Sequence, residues 1–319
     1  MRPARAALIT GTGGYAAPFV ARALAADGWR LTGTWYRQPP VLPPTAAAAQ
    51  LDLCDHRAIV DLVASLDPDA IVHAAAMTDV ARCEAEPGRA RYDIVESTEA
   101  LLAARRYRPR LARFIYLSTD LVFDGEEAPY STGARPSALS VYGRCKAEAE
   151  RAVLDQGGDV LRVPLLYGPR GAHKPGALFW MVDALRRGEP LTLFSDETRT
   201  PLHVDDLGAA VARLLAVMPE PMRTMHVLGG DTFLGDPAPG RIWHLGGPDS
   251  LTRVAMGRLV CQKLGVEETR VQPRLRMEYP YPAPRPRDVS LASSADWSTL
   301  GLAPRSFAAG VDGELSPVP

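Results

Sequence analysis

Residues 6–28 read AALITGTGGYAAPFVARALAADG. The apolar run AALIT (6–10) stops at glycines, and PFVARALAADG (18–28) then carries helical apolar spacing up to a closing glycine. Strand, glycine loop and helix in that order place Gly11, Gly14 and Ala17 at i, i+3 and i+6. Glycine at the first two positions permits a tight turn and lets backbone N–H groups approach a pyrophosphate at the helix N-terminus. The third position governs helix–strand packing, where alanine adds one methyl. A glycine pattern alone is weak, but its place at the first strand–helix junction of the chain reads as a dinucleotide loop.

The pattern continues outward from this unit. WRLTGTWYR (29–37) reads as a strand, AIVDLVASLDP (58–68) as a helix and AIVHAAA (70–76) as a strand. TEALLAARRY (98–107) is helical, RFIYLST (113–119) a strand and SVYGRCKAEAERAV (140–153) a helix. Such alternation implies right-handed βαβ units, and hence an α/β fold with a Rossmann-like, doubly wound parallel sheet. After about residue 165 the pattern loosens. VLGGDTFLGDPAPG (227–240) reads as a surface loop and an insertion, and 46–49 as an alanine-rich turn. PRLRMEYPYPAPRPRD (273–288) holds too many prolines for a regular helix or central strand. A smaller C-terminal portion with long loops is expected beside the sheet, placed to cover a substrate.

Composition narrows the function. The net charge of −1 offers no attraction for nucleic acid or an anionic membrane. No apolar run approaches the roughly 18 residues of a membrane span. The start MRPARAALITGTGG lacks the form of a signal peptide. Cys54, Cys83, Cys145 and Cys261 are scattered without C-x-x-C pairing, and six histidines are equally dispersed. No metal site is expected, and a reducing, cytoplasmic setting is.

Chemistry concentrates at Tyr142 and Lys146, which share one face of a helix at i and i+4. A nearby ammonium lowers a phenol pKa and stabilises phenolate. The phenol can then give a proton to a carbonyl oxygen as hydride arrives. The alternative is a surface helix bearing an ordinary Tyr and Lys. Only three of the 36 basic residues are lysines, Lys146, Lys174 and Lys263. With ten tyrosines and lysine at about 1% of positions, a chance Tyr-x-x-x-Lys is expected roughly 0.1 times. Upstream, Ser118 and Thr119 end a buried strand, where a hydroxyl would orient a carbonyl alongside Tyr142 or cap a following helix or turn. In LDLCD, Asp52 follows a third strand and would accept from an adenine amino group, or cap the next helix. Ala74, Ala75 and Ala76 let a cofactor lie against the backbone, or merely pack. The second strand has no acid at its end and closes with Tyr36-Arg37. A guanidinium there pairs with a 2′-phosphate, favouring NADP(H) over NAD(H); a solvated arginine is the alternative.

Together GTGGYAA, LDL, HAAAMT, LSTDLVFDG, VYGRCK, LRVPLLYG, TPLHVDDLG and RPRDVSL resemble the extended short-chain dehydrogenases/reductases, specifically the dTDP-4-dehydrorhamnose reductase-like branch. The chain is also similar to the regulatory β subunits of methionine adenosyltransferase, which share that branch. The resemblance covers about residues 6–303. It implies Thr119, Tyr142 and Lys146 as the catalytic residues, with Thr119, Asp120 and Leu165 toward the substrate. It further implies that Gly11, Gly14, Tyr15, Ala16, Arg37, Asp52, Leu53, Ala74, Ala75, Ala76 and Thr78 line the cofactor together with Tyr142 and Lys146. The expected organisation is a dinucleotide-binding domain of residues 1–165, with 201–247 returning to it. Residues 166–200 and 248–319 would form the substrate-binding portion.

Three positions depart from that branch. Ala17 replaces a glycine, Ile94 stands where a structural asparagine supports a water-mediated proton relay, and Leu165 replaces a substrate-side tryptophan. The run Thr119-Asp120-Leu121 also lacks the second acid of sugar-nucleotide 4,6-dehydratases. The implied function is NADP(H)-dependent reduction of a carbonyl, the keto group of a nucleotide-linked deoxysugar. An epimerase and a non-catalytic NADP-binding regulatory subunit are the alternatives. The implied partner is a small nucleotide-sugar substrate, and the common assembly of the branch is a homodimer.

Overall fold

The computed structural model describes residues 5–106, 111–217, 223–228, 231–237, 239–279 and 282–315. Its apolar runs form β1 (Ala6–Thr10), β2 (Arg30–Trp35), β3 (Ala47–Gln50), β4 (Ala70–His73), β5 (Arg113–Thr119) and β6 (Asp159–Val163). With a further strand, Ile242–His244, they make one seven-stranded sheet. Its order is Ile242–His244, β6, β5, β4, β1, β2, β3, and every neighbouring pair is parallel. The chain builds outward from β1 to β3, then returns to the other side of β1 and builds outward again. That reversal opens a crevice between the loops after β1 and β4, where doubly wound sheets hold ligands.

Helices among the described residues include α1 (Ala17–Ala26), α2 (His56–Leu66), α3 (Val80–Ala85), α4 (Pro87–Arg91), α5 (Ser97–Arg106), α6 (Val141–Asp155), α7 (Gly176–Arg186), α8 (Val204–Val217) and α9 (Arg253–Leu264). Strand side chains alternate between two faces, and both faces are buried. Ala7, Ile9 and Val72 pack with Val20 and Leu24 of α1 and Leu207 and Val211 of α8. Leu8, Ile71 and Phe114 pack the other way, with Ile59 of α2, Leu101 of α5 and Val153 of α6. A separate core joins Leu178 and Val182 of α7, Leu193, Val260 of α9 and Phe307.

Several elements differ from expectation. The alanines expected as a turn at 46–49 lie largely in β3, whose pairing with β2 overrides their weak strand preference. The 227–240 stretch, expected as a loop, instead contributes to two antiparallel strands, Arg223–Leu228 and Asp231–Pro237. Pairing between them satisfies backbone groups that a loop would leave to water; residues 229, 230 and 238 fall outside the described residues, as does Tyr107 of the expected 98–107 helix. The proline-rich 273–288 segment begins inside a short strand, Val271–Arg274, paired only with Leu191–Phe194. A proline fits there because the two-stranded sheet has free edges. Finally, β2 stops at Trp35, so Tyr36 and Arg37 sit in the loop beyond it.

Candidate active site

The glycine loop is shaped by what it touches. Gly11 has φ +76°, and a Cβ there would lie 2.7 Å from the Ala75 backbone. A side chain is thus excluded both by backbone conformation and by contact with the loop after β4. Gly14 N–H donates to the Gly11 carbonyl at 2.8 Å, closing the turn. Thr10 Oγ1 accepts from Ala74 and Ala75 N–H at 3.2 and 3.3 Å, which ties the two crevice walls together. The helix that follows, α1, is preceded by Ala16, which offers no side-chain cap, and has proline in its first turn. Pro18 has no N–H and the Phe19 N–H donates to the Ala16 carbonyl at 3.1 Å, so the crevice is lined by the glycine loop and the uncapped end of α1 at Ala16 and Ala17.

The second half of the site is set by α6. Ser140 caps it, accepting from Gly143 N–H at 3.1 Å, and Glu84 of α3 accepts from Val141 N–H at 2.6 Å. A Cβ on Gly143 would lie 2.2 Å from the Leu121 carbonyl. Glycine there lets α6 close directly onto the turn after β5, which brings Tyr142 beside Thr119 and Asp120. Thr119 Oγ1 donates to Asp120 Oδ1 at 3.1 Å and accepts from Leu121 N–H.

One cavity of about 870 Å³ gathers all these parts. Gly11, Gly14, Tyr15, Ala16, Arg37, Asp52, Leu53, Ala74, Ala75, Ala76 and Thr78 line it. So do Thr119, Asp120, Tyr142, Lys146 and Leu165. The structure therefore brings these residues together from the ends of six strands, β1 to β6, and from α6. Asp52 does not cap α2; Asp55 does, and Asp52 accepts from Cys54 N–H at 3.0 Å. Ser118 does not offer its hydroxyl to the cavity, because that group donates to Glu150 at 2.5 Å. Thr119 is left as the hydroxyl beside Tyr142.

The electrostatics correct one expectation. Lys146 does not lower Tyr142: burial, then the Asp120 charge, push the phenol well above its ordinary value, and only the Thr119 hydroxyl pulls the other way. Lys146 Nζ instead donates to the Leu117 carbonyl at 2.7 Å and stands 4.2 Å from the centre of the Tyr116 ring. Burial lowers Lys146 to about 7, and Glu150 pulls it upward. Ile94 sits in a π-helical turn, Tyr92–Glu96, with its side chain in the core and its carbonyl accepting from Thr98 Oγ1 at 2.6 Å. This position gives Lys146 no polar side chain.

Sequence reading missed the far wall. Glu197 is fully buried and pairs with Arg253 Nε and Arg285 Nη1, each at 2.7 Å, and with Arg199 Nη2 at 3.4 Å. Burial raises the Glu197 carboxyl, but Arg253, Arg199 and Arg285 outweigh it and hold the group well below the usual carboxylate range. Arg199 Nη1 faces Asp120 Oδ2 at 3.7 Å, too far for a hydrogen bond, and among the described residues neither atom has a hydrogen-bond partner. All three arginines line the cavity, as do Gly13 and Lys174. In so arginine-rich a chain no local signal set these three apart.

A family model described as the RmlD substrate binding domain matches residues 5–317. The chain belongs to this family. The probable low-salt glycan biosynthesis reductase of Haloferax volcanii is 29% identical over 271 residues, 83% of this chain and 82% of that protein. Methionine adenosyltransferase 2 subunit beta of Mus musculus is 28% identical over 319 residues, 99% of this chain and 88% of that protein. A dTDP-4-dehydrorhamnose reductase of Bacillus anthracis, solved in complex with NADP, superposes with a TM-score of 0.78 at 18% identity. That match covers 98% of this chain and 99% of the other, and at this identity it is a likeness of fold. Family membership thus agrees with the Rossmann-like sheet, and no helix among the described residues is long and apolar enough to cross a membrane.

Proposed function

We propose that this member of the RmlD family is an NADP(H)-dependent oxidoreductase that reduces the keto group of a nucleotide-linked deoxysugar, of the dTDP-4-keto-6-deoxysugar type. The observation that carries the reading is one cavity holding an uncapped helix start at the glycine loop, the Thr119–Tyr142–Lys146 group, and a wall of three arginines. The residues fit a dinucleotide. Gly11 leaves backbone room, the glycine loop and the uncapped start of α1 face the place a pyrophosphate would take, and Arg37 suits a 2′-phosphate. When bound, NADPH supplies the hydride. Tyr142, held as a neutral phenol by burial, gives its proton to the carbonyl oxygen. Lys146, one turn away on the same helix face and lining the same cavity, does not lower the phenol itself but is the positive charge available to the phenolate left behind. The Thr119 hydroxyl orients the carbonyl. Arg199, Arg253 and Arg285 exceed the charge of Glu197 and would take the diphosphate of the substrate in forked hydrogen bonds. Residues 166–200 and 248–319 are accordingly read as the substrate-binding portion.

The direct test is oxidation of NADPH across a panel of dTDP- and UDP-linked 4-keto sugars. Turnover on none of them overturns the substrate assignment. The likeness to methionine adenosyltransferase 2 subunit beta favours a second reading, a non-catalytic binding subunit. Stoichiometric co-purification of another enzyme, with no turnover on the panel, would select it.

Two expected results follow from opposite ends of the cavity. No carboxylate pairs with Arg37 among the described residues, and its guanidinium lies 5.3 Å from the centre of the Tyr36 ring. The protein should bind NADPH over NADH by roughly tenfold or more, a net difference of about 1.4 kcal/mol. Arg37→Ala should erase most of that preference through weaker NADPH binding. Dissociation constants of both cofactors for both proteins decide it, and equal wild-type affinities reject the role. At the other end, Leu165→Trp should reorder the keto-sugar substrates while leaving NADPH affinity nearly constant. A changed cofactor affinity with an unchanged substrate order would put Leu165 on the wrong side.

A further inference from the structure

Three successive residues of β5 meet three successive turns of α6. Thr119 lies against Tyr142, the Leu117 carbonyl accepts from Lys146 at 2.7 Å, and Ser118 donates to Glu150 at 2.5 Å. Tyr142, Lys146 and Glu150 are spaced i, i+4 and i+8, so all three share the inner face of the helix. The first two belong to the proposed chemistry. Glu150 has no part in it so far, yet it is as deeply buried as Lys146, each 2% exposed.

We infer that Glu150 is a positioning residue for the reaction centre: one turn behind Lys146, its carboxylate holds that lysine in the ammonium form and fixes the end of β5 against α6. The inference rests on the reading of Lys146 as the charge that supports Tyr142. Glu150 is oriented from behind by Arg162 of β6, whose Nε donates to both carboxylate oxygens at 3.0 and 3.1 Å and whose Nη2 donates at 2.7 Å. Arg162 is held in turn by His244, 3.4 Å from Nη1, and its guanidinium lies over the Phe123 ring at 5.0 Å. His244 is a neutral acceptor there, because its Nδ1 is engaged with the Tyr130 carbonyl, and burial followed by Arg162 lowers its pKa to about 3.

A buried ion pair contributes little net stability compared with apolar side chains of the same volume. Its value here is directional, since the negative member is the one beside Lys146. Among the described residues, the other titratable groups near Lys146 are the Tyr116 ring from β5 and His73 from β4, with Tyr142 one turn away on the same face of α6. Tyr116 and Tyr142 are both buried phenols pushed upward, and His73 is lowered to about 3 by burial and by Lys146 itself, so all three are neutral at pH 7. Glu150 is thus the carboxylate opposing the loss of the lysine proton. Lys146 stands at about 7 with Glu150 already pulling upward against burial, and without Glu150 burial acts unopposed.

The chain has only three lysines, so lysine-selective ¹³C labelling lets Lys146 be followed individually by NMR, its signal assigned by absence in Lys146→Met. In Glu150→Gln the Lys146 midpoint should fall by about one pH unit or more, roughly tenfold in its proton affinity. Glu150→Asp should recover most of the wild-type value. In NADPH-dependent turnover the alkaline limb of kcat should move down with it. Glu150→Gln/Arg162→Met, which leaves no guanidinium buried alone, serves if the single variant does not fold. A folded Gln variant with an unmoved Lys146 midpoint overturns the inference, and so does failure of both variants to fold, which would make the pair a structural staple. The NMR titration decides the matter even if no keto sugar is turned over, an outcome that would reject the substrate reading instead.

Discussion

Tyr142→Phe should lower NADPH-dependent carbonyl reduction by about 10²–10⁴-fold, the usual contribution of a positioned general acid, while NADPH affinity stays nearly constant. The substitution removes one oxygen and keeps a ring that packs in the core formed with α2, α5 and α6. Folding stability should therefore change little, which makes the variant a clean test of chemistry. Burial and the neighbouring Asp120 charge keep the Tyr142 phenol protonated through neutral pH, the form needed to give a proton. The opposing limit comes from Lys146. Lowered to about 7 by burial, it is an ammonium below that value and loses its charge as pH rises through it, so the rate should decline on the alkaline side. Steady-state rates from pH 5 to 9 on both proteins, with folding checked by thermal melting, measure the two effects. Wild-type turnover in a folded Phe variant would remove Tyr142 from the mechanism.

Glu197→Gln should destabilise the fold by about 3–5 kcal/mol, the range seen when one member of a buried ion pair is removed. Glu197 is fully buried, and the three guanidiniums around it are drawn from separate segments: Arg199 beside it, Arg253 at the start of α9 and Arg285 in the proline-rich loop. Removing the carboxylate withdraws the charge that Arg199, Arg253 and Arg285 share, leaving Asp120, 3.7 Å from Arg199, as a more distant counter-charge. The folded carboxyl lies below its unfolded value of 4.5, so the stabilisation is fully present above that pH and fades as pH falls toward the folded value. Denaturant unfolding at pH 7 should show the full loss, and the wild-type advantage should shrink in acid. Substrate affinity should fall with stability, because the arginines are aimed by this carboxylate, whereas NADPH affinity should hold. A loss under about 0.5 kcal/mol at pH 7 would mean that water, not Glu197, compensates the arginines.

Much of this protein is local and was legible as such. The strand–glycine–helix unit at 6–28, the strand RFIYLST and the helix carrying Tyr142 and Lys146 each follow from apolar period and turn chemistry within about 25 residues. The cavity-lining residues were legible for the same reason, because in a doubly wound sheet a ligand crevice is lined from strand ends and from one face of a neighbouring helix. Where the reading failed, pairing decided. Ala47–Gln50 is a strand because β2 lies beside it, and 223–237 holds a hairpin because its two halves meet.

By itself, then, the sequence determined the α/β layering, the nucleotide loop and the helix that bears the phenol and the ammonium. Only the tertiary structure decided the electrostatic state of those groups and the composition of the far wall. Arg253 reaches Glu197 across 56 positions and Arg285 across 88, distances over which residue spacing carries no geometric information. Likewise, spacing places Lys146 one turn from Tyr142 but says nothing about desolvation. Burial raises the phenol and lowers the amine, and burial exists only once the sheet, the helices and the C-terminal portion have closed around them.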